Sequence, residues 1–228
     1  MFNSQIKVTA HIDACLKEGK LSGNLLSIVR SVTQATNDTT STSDSLSNSL
    51  TFPIPTLLGS HQYRCSSAVL VTCANPIASA FELAWGICSE LRVRLDRYFR
   101  LSAFVLIRLG QVPALVQLAE FLKTHMTSES VGYFNLDELL VECATLTQER
   151  DMGNNSPDLE LIVQLIKKPV NKIRAFINLK WLKAAYLLAV KNDQTADIIQ
   201  IQQEANRLQQ TAVFALCDKW LRARHIVH

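Results

Sequence analysis

Arg100 to Leu122 reads RLSAFVLIRLGQVPALVQLAEFL, and this stretch decides the fold. An apolar run of helical length meets Gly110. Pro113, a residue suited to the first turn of a new helix, follows closely. Val112, Leu115, Val116, Ala119 and Leu122 then recur on one helical face. Two short helices joined by a tight turn make an αα-hairpin.

Outward toward the N-terminus, Ile77, Phe81, Ala84, Trp85, Cys88, Leu91 and Leu95 keep helical spacing over about five turns. They predict one long helix with Arg92, Arg94, Asp96 and Arg97 on its polar side. Val8, Ile12, Cys15 and Leu16 form an earlier stripe, stopped by Gly19. Leu21, Leu25, Ile28, Val29 and Val32 repeat the spacing, so a first hairpin is expected with Gly19 in the relative place of Gly110. Between them lies TNDTTSTSDSLSNSLT, Thr36 to Thr51, whose only apolar residues are Leu46 and Leu50. Such a segment cannot bury enough surface to offset the entropy of ordering it. It reads as a disordered linker with hydroxyls open to phosphorylation, and Phe52 to Pro55 leave it extended.

Outward toward the C-terminus, Asn135 and Glu138 resemble a capping box before Leu136, Leu139, Leu140 and Cys143. Gln148 to Ser156 is a polar loop. Ser156–Pro157 starts a helix with Leu159, Ile162, Val163 and Ile166 inward, and Pro169 ends it. Val170, Ile173 and Ile177, then Leu182, Ala185 and Ala189, continue the pattern. Ile198, Ile201, Ala205 and Leu208 predict the next helix, and Val213, Leu216, Cys217 and Trp220 the last.

Alternation of period two is absent, apart from ambiguous runs near Ser67 to Thr72. The fold class is therefore all-α: a helical-hairpin repeat array (a TPR-like α-solenoid) with one disordered Ser/Thr-rich insert. The expected organisation is a hairpin at 1–34, a flexible linker at 35–60 and a helical-repeat domain at 61–228. SAFVLIRLGQVPALVQLAEF pairs with RAFINLKWLKAAYLLAVK through Ala103-Phe104 with Ala175-Phe176 and Leu118-Ala119 with Leu188-Ala189, at distances that differ by two residues. The regular tetratricopeptide consensus is not met.

Composition supports this class. The chain has 228 residues, is 48% hydrophobic and contains only 7 glycines, too few for the turns of all-β or Gly-rich nucleotide-binding folds. Glycine instead punctuates helices. A net charge of +3 is too small to predict nucleic-acid or membrane binding by itself. The N-terminus lacks a signal-peptide pattern. The most apolar stretch, Ala68 to Cys88, is interrupted by Asn75, Pro76 and Glu82, short of a membrane span. A soluble cytoplasmic protein is expected.

Candidate chemistry is sparse. The six cysteines form no CxxC pair, and His61 with Cys65 has no second pair to complete a metal site. Cys15, Cys88, Cys143 and Cys217 fall on apolar stripes as small hydrophobes. Cys65 and Cys73 lie outside those stripes and are the better candidates for exposed thiols. The five histidines are isolated, and no GxSxG, HExxH or GxGxxG is present. Asp137 with Glu138, and Asp158 with Glu160, sit in first helical turns and complement the dipole. No enzyme activity and no cofactor is expected. Arg92, Arg94, Arg97, Arg100 and Arg108, with Tyr98 and Phe99 among them, are the densest basic set. They read either as a patch for phosphoinositide or RNA, or as the polar side of a long helix whose arginine stems cover apolar neighbours. Lys167, Lys168, Lys172, Arg174, Lys180 and Lys183 form a second cluster with the same two readings.

Lys172 to Leu221, KIRAFINLKWLKAAYLLAVKNDQTADIIQIQQEANRLQQTAVFALCDKWL, is similar to the C-terminal end of the spastizin family of FYVE-finger proteins. The likeness is carried by LKAAYLLAVK, by Ile198, Ile201 and Ala205, and by the closing CDKWL. It extends loosely back to Arg100–His125. The resemblance implies a helical scaffold of endosomes and lysosomes, peripheral on those membranes. Its implied partners are spatacsin and the fifth adaptor-protein complex, with roles in autophagic lysosome reformation and cytokinesis. The family binds phosphatidylinositol 3-phosphate through a zinc finger whose paired cysteines and RHHCR-type motif this chain lacks. No lipid- or zinc-binding residue carries over, direct binding of that lipid is not expected, and neither is nucleic acid. The chain reads as a terminal fragment or short homologue of a larger scaffold.

Overall fold

A computed structural model describes residues 61–125, 134–152 and 156–224, together with residues 10, 11, 14, 15, 17–19 and 29. The Ser/Thr-rich linker and most of the first expected hairpin lie outside the described residues. Gly19 has a positive φ of 66° and follows residues in helical conformation, as expected of a helix stop.

From residue 61 onward the described residues hold ten helices, and no strand occurs among the described residues: α1 His61–Ala74, α2 Ala78–Glu90, α3 Leu95–Arg108, α4 Val112–His125, α5 Leu136–Arg150, α6 Pro157–Leu165, α7 Pro169–Asn178, α8 Leu182–Lys191, α9 Thr195–Arg207 and α10 Thr211–Ala223. The all-α expectation holds. The chain divides into two compact units, Met1–Asn135 and Leu136–His228. In the first, α1 packs on α2 and α3 on α4, while α1 also touches α3 and α2 touches α4. In the second, α5 pairs with α6, α7 with α8 and α9 with α10, and α5 to α7 and α8 to α10 join successive hairpins. Consecutive hairpins packed helix on helix within each unit are the architecture of a repeat array.

One turn is used repeatedly. After α3, Gly110 takes a φ of 71°; its N–H donates to the Ile107 carbonyl at 3.0 Å and that of Gln111 to Leu106 at 2.8 Å. This is a Schellman ending, in which a left-handed residue lets two orphan carbonyls find donors. The same pair of bonds closes α7, α8 and α9, where the left-handed residues are Lys180 (64°), Asp193 (56°) and Gln209 (58°). It closes α2 as well, at Arg92 (51°), with Val93 N–H donating to Cys88 at 2.8 Å. After α7, Phe176 and Trp181 stack obliquely at 5.9 Å, the apolar contact that accompanies this ending. Gly110 stands at its turn as the sequence reading expects, but the turn does not require glycine: of these five endings only one carries it.

Several further expectations are corrected. The long helix from Ile77 to Leu95 is two helices, because the left-handed Arg92 ends α2 before Val93 and Arg94 lead into α3. The Ser67–Thr72 run is not a strand but the middle of α1, where every residue from Cys65 to Ala74 is buried. A helix covered on all sides has no amphipathic period to read. Val170 and Leu216, placed on inward stripes, are 51% and 40% exposed, and Leu221 fills the inward position of α10 instead. The turns align Gly110 with Lys180, a shift of 70 residues. In that register Leu118-Ala119 matches Leu188-Ala189, whereas Ala103-Phe104 falls on Ile173-Arg174, so the Ala-Phe likeness is out of register.

The cores are built from these stripes. In the first unit, Tyr98, Phe99, Leu106, Leu115, Leu118 and Leu122 are fully buried, and Phe81 of α2 meets Phe121 of α4 at 5.8 Å. Thr72 donates to the Ala68 carbonyl, which leaves the buried Tyr98 hydroxyl to donate to Thr72 Oγ1 at 2.6 Å, joining α1 to α3. In the second, Ile173, Ile177, Leu182, Ile198, Ile201, Val213 and Leu221 close around Ala185, Ala189 and Ala205. No helix among the described residues is long and apolar enough to cross a membrane.

Candidate interaction surface

The basic set splits between a turn and a helix. Arg92 is the left-handed turn residue and Arg94 precedes α3, so neither lies on the helix. Arg94 grips Asp96 with two hydrogen bonds, Nε to Oδ1 at 3.1 Å and Nη2 to Oδ2 at 2.7 Å. Partial burial alone would raise the Asp96 pKa, but these bonds, the Arg97 backbone N–H and the Arg94 and Arg100 charges outweigh it and lower it.

Arg97, Arg100, Phe104 and Arg108 stand at i, i+3, i+7 and i+11 on α3. At 3.6 residues per turn this spacing confines them to a sector of about 80° and spreads them over about 16 Å of helix. Arg100 and Arg108 are exposed, and Arg97 and Phe104 are half-buried. The Arg108 guanidinium lies over the Phe104 ring, 5.0 Å from its centroid. Tyr98 and Phe99, which the sequence places among the arginines, are in the core. The aromatic member of the surface is Phe104, which a count of helical spacing from Arg97 and Arg108 would have identified.

The second basic cluster is dispersed. The backbone N–H groups of Lys167 and Lys168 donate to Asp137 Oδ2 at 3.2 and 2.7 Å. Lys168 is the N-cap residue of α7 and makes no side-chain cap bond. The buried Asp137 of α5 thus does more than complement its own helix dipole: it anchors the entry to the next hairpin. Lys180 Nζ pairs with Glu204 Oε1 at 2.8 Å, and Arg207 binds the same carboxylate at 2.5 and 2.8 Å. Hydrogen bonds from Arg207 and Lys180 hold the Glu204 pKa down at about 2. Asp193 pairs with Arg224. Arg174 lines a groove of about 470 Å³ between α5 and α7, with Asn178 beside it and Glu138, Val141, Glu142, Thr145 and Leu146 opposite. Nothing in the sequence spacing joins these two walls, which come from different hairpins.

The thiol expectation is overturned. Cys65 and Cys73 are both buried. Burial pushes the Cys65 thiol up to about 11, with Arg97 opposing it, and burial raises Cys73 too. Both stay protonated and poorly nucleophilic near neutral pH. Among the described residues no group of three or more His, Cys, Asp or Glu side chains could hold a metal ion. The side chain of His61 lies outside the described residues.

A family profile described as "ZFYVE26-like, TPR repeats" matches residues 95–222, more than half of the chain. The chain belongs to this family. The match begins at the first residue of α3 and ends inside α10, so it spans the turns at Gly110, Lys180, Asp193 and Gln209. Zinc finger FYVE domain-containing protein 26 of Homo sapiens is 26% identical over 180 residues, and that of Rattus norvegicus is 26% identical over 182. Each alignment covers 77% of this chain and 7% of the relative, so the chain spans a small fraction of the curated relatives it matches. No solved structure gave a significant match.

Proposed function

We infer that the chain is a non-enzymatic helical scaffold for protein–protein association that works in endosomal and lysosomal traffic. The observation that carries this reading is the family match over the hairpins from α3 to α10. Helical-repeat arrays present extended surfaces built from many helices, a form suited to holding partners. The burial of Cys65 and Cys73 supports the non-enzymatic part, since it removes the thiol chemistry the sequence suggested. The likeness to zinc finger FYVE domain-containing protein 26 supports a site of action on the surface of endosomes and lysosomes, with roles in autophagic lysosome reformation and cytokinesis. It also supports spatacsin and subunits of the fifth adaptor-protein complex as partners.

The test is a pull-down with the whole chain from cells that express spatacsin and the adaptor subunits. Recovery of either is expected. Recovery of neither, with the chain folded by circular dichroism, overturns the trafficking reading.

A further inference from the structure

We propose that the outward groove between α8 and α10 docks an acidic amphipathic helix of a protein partner, its apolar stripe over Leu187 and Leu216 and its carboxylates on Lys183, Lys191 and Lys219. This rests on the scaffold reading above and adds to it the surface and the chemistry of the partner.

Geometry brings two exposed leucines to one groove. α8 and α10 are each joined to α9 by a tight turn and pack against it, so they run in the same direction, and they touch each other. Tyr186 of α8 enters the core near Cys217 of α10. On parallel helices, one step forward from such a contact on one helix and one step back on the other turn both side chains by about 100° toward the same side. Those steps are Leu187 and Leu216, which are 60% and 40% exposed. A singly exposed leucine is ordinary on a protein surface, but two that flank one groove give a partner helix an apolar seat.

Charge complementarity selects the occupant. Lys183, Leu187 and Lys191 stand at i, i+4 and i+8 on α8, within a sector of about 80° and over about 12 Å of helix. Lys219 follows Leu216 at i+3 on α10. All three lysines are exposed, and among the described residues none of them makes an ion pair. The neighbouring acids are engaged elsewhere: α8 has none, Asp218 of α10 pairs with Arg222 at 2.9 Å, and Asp193 of the turn after α8 pairs with Arg224. The groove therefore combines apolar walls with an uncompensated basic rim, which a helix with Glu or Asp beside its apolar stripe matches. A bilayer fits less well, because two leucines bury less than one acyl chain, itself only a marginal anchor. RNA fits less well too, because the nearby Trp220 ring lies under the Arg224 guanidinium, 4.2 Å from its centroid, and offers no open face to a base.

The test uses the full chain and a labelled helical peptide with Leu at i, i+4 and i+7 flanked by Glu, read by anisotropy. The controls are the same peptide with Gln for Glu and with Ala for Leu. Binding is expected for the first peptide only, weakening as salt rises. Leu187→Ala, Leu216→Ala, Lys183→Gln and Lys191→Gln alter exposed side chains and should leave helicity by circular dichroism unchanged. Each leucine change should weaken binding about fivefold and each lysine change about threefold. No binding of the Glu peptide, equal binding of either control, or no effect of the four changes combined overturns the proposal. So does tighter binding to phosphatidylcholine vesicles carrying one-fifth phosphatidylserine, or to a single-stranded RNA 20-mer. If the pull-down still recovers partners through the quadruple variant, the docking face is wrong while the scaffold reading stands.

Discussion

The hairpins Leu95–His125 and Pro169–Lys191 end their first helices with the same backbone and different residues. Gly110 takes its left-handed φ freely, whereas Lys180 adopts nearly the same angle with a side chain that should resist it. The difference lies in what the turn residue reaches. Gly110 reaches nothing, while Lys180 extends to Glu204 of α9 and ties its hairpin to the next. The two hairpins also part on their outward faces: α3 carries an arginine row, and α7 sets Arg174 in a groove facing Glu138 and Glu142. One architecture is thus kept by backbone hydrogen bonds, and individuality is written on side chains pointing away from them.

The most severe way to break the comparison is through the cores, which should behave alike. Leu115 and Ile173 are both fully buried. Leu115→Ala and Ile173→Ala should each cost about 2–5 kcal/mol in urea unfolding. A loss below about 1 kcal/mol at one of them would mean that its hairpin is not packed as described. Next comes the entry to α7, where Asp137 holds two backbone N–H groups. Asp137→Ala should cost about 1–3 kcal/mol, with faster hydrogen exchange at Lys167 and Lys168. A neutral result would show that solvent serves those donors equally well.

The turns sharpen the comparison directly. Nothing lies within 4 Å of a Cβ built on Gly110, so Gly110→Lys meets only the backbone penalty and should lower stability by about 1–2 kcal/mol. Gln209→Gly removes that penalty at an exposed turn and should be neutral or stabilising by less than about 1 kcal/mol. Thermal unfolding reads both, and the same sign for the two would contradict the shared turn. The smallest effect belongs to Glu204. Its carboxyl has a pKa near 2 in the fold against an ordinary 4.5, so it stabilises the native state above 4.5 and loses that contribution as pH falls toward 2. Glu204→Gln should flatten the pH dependence of stability in that window and cost about 0.5 kcal/mol at neutral pH. An unchanged acid profile would show the cluster with Lys180 and Arg207 to be too screened to matter.

Much of this architecture is legible in the sequence where helices are half exposed. The stripe from Val112 to Leu122 identifies α4 because one face is wet. It fails in α1, where burial on every side erases the period. It fails again at Arg92, because apolar spacing does not report a backbone reversal: Cys88, Leu91 and Leu95 stay in helical phase across a turn that breaks the helix. Glycine misleads for a related reason, since a Schellman ending asks for a left-handed angle and arginine, lysine, aspartate and glutamine can supply it when packing on both sides holds the chain there. The arginine face is half legible: the spacing of Arg97, Arg100 and Arg108 is visible, but the loss of Tyr98 and Phe99 to the core depends on which side α1 covers. The bond from Asp137 to Lys167 and Lys168 links residues about thirty apart and has no local signature.

The backbone φ at Arg92, Gly110, Lys180, Asp193 and Gln209, measured by NMR couplings and chemical shifts in the intact chain, tests the repeated turn most directly. Positive values at all five are predicted. A left-handed angle at Gly110 with right-handed angles at Lys180 and Gln209 would contradict the account and confine this turn to glycine.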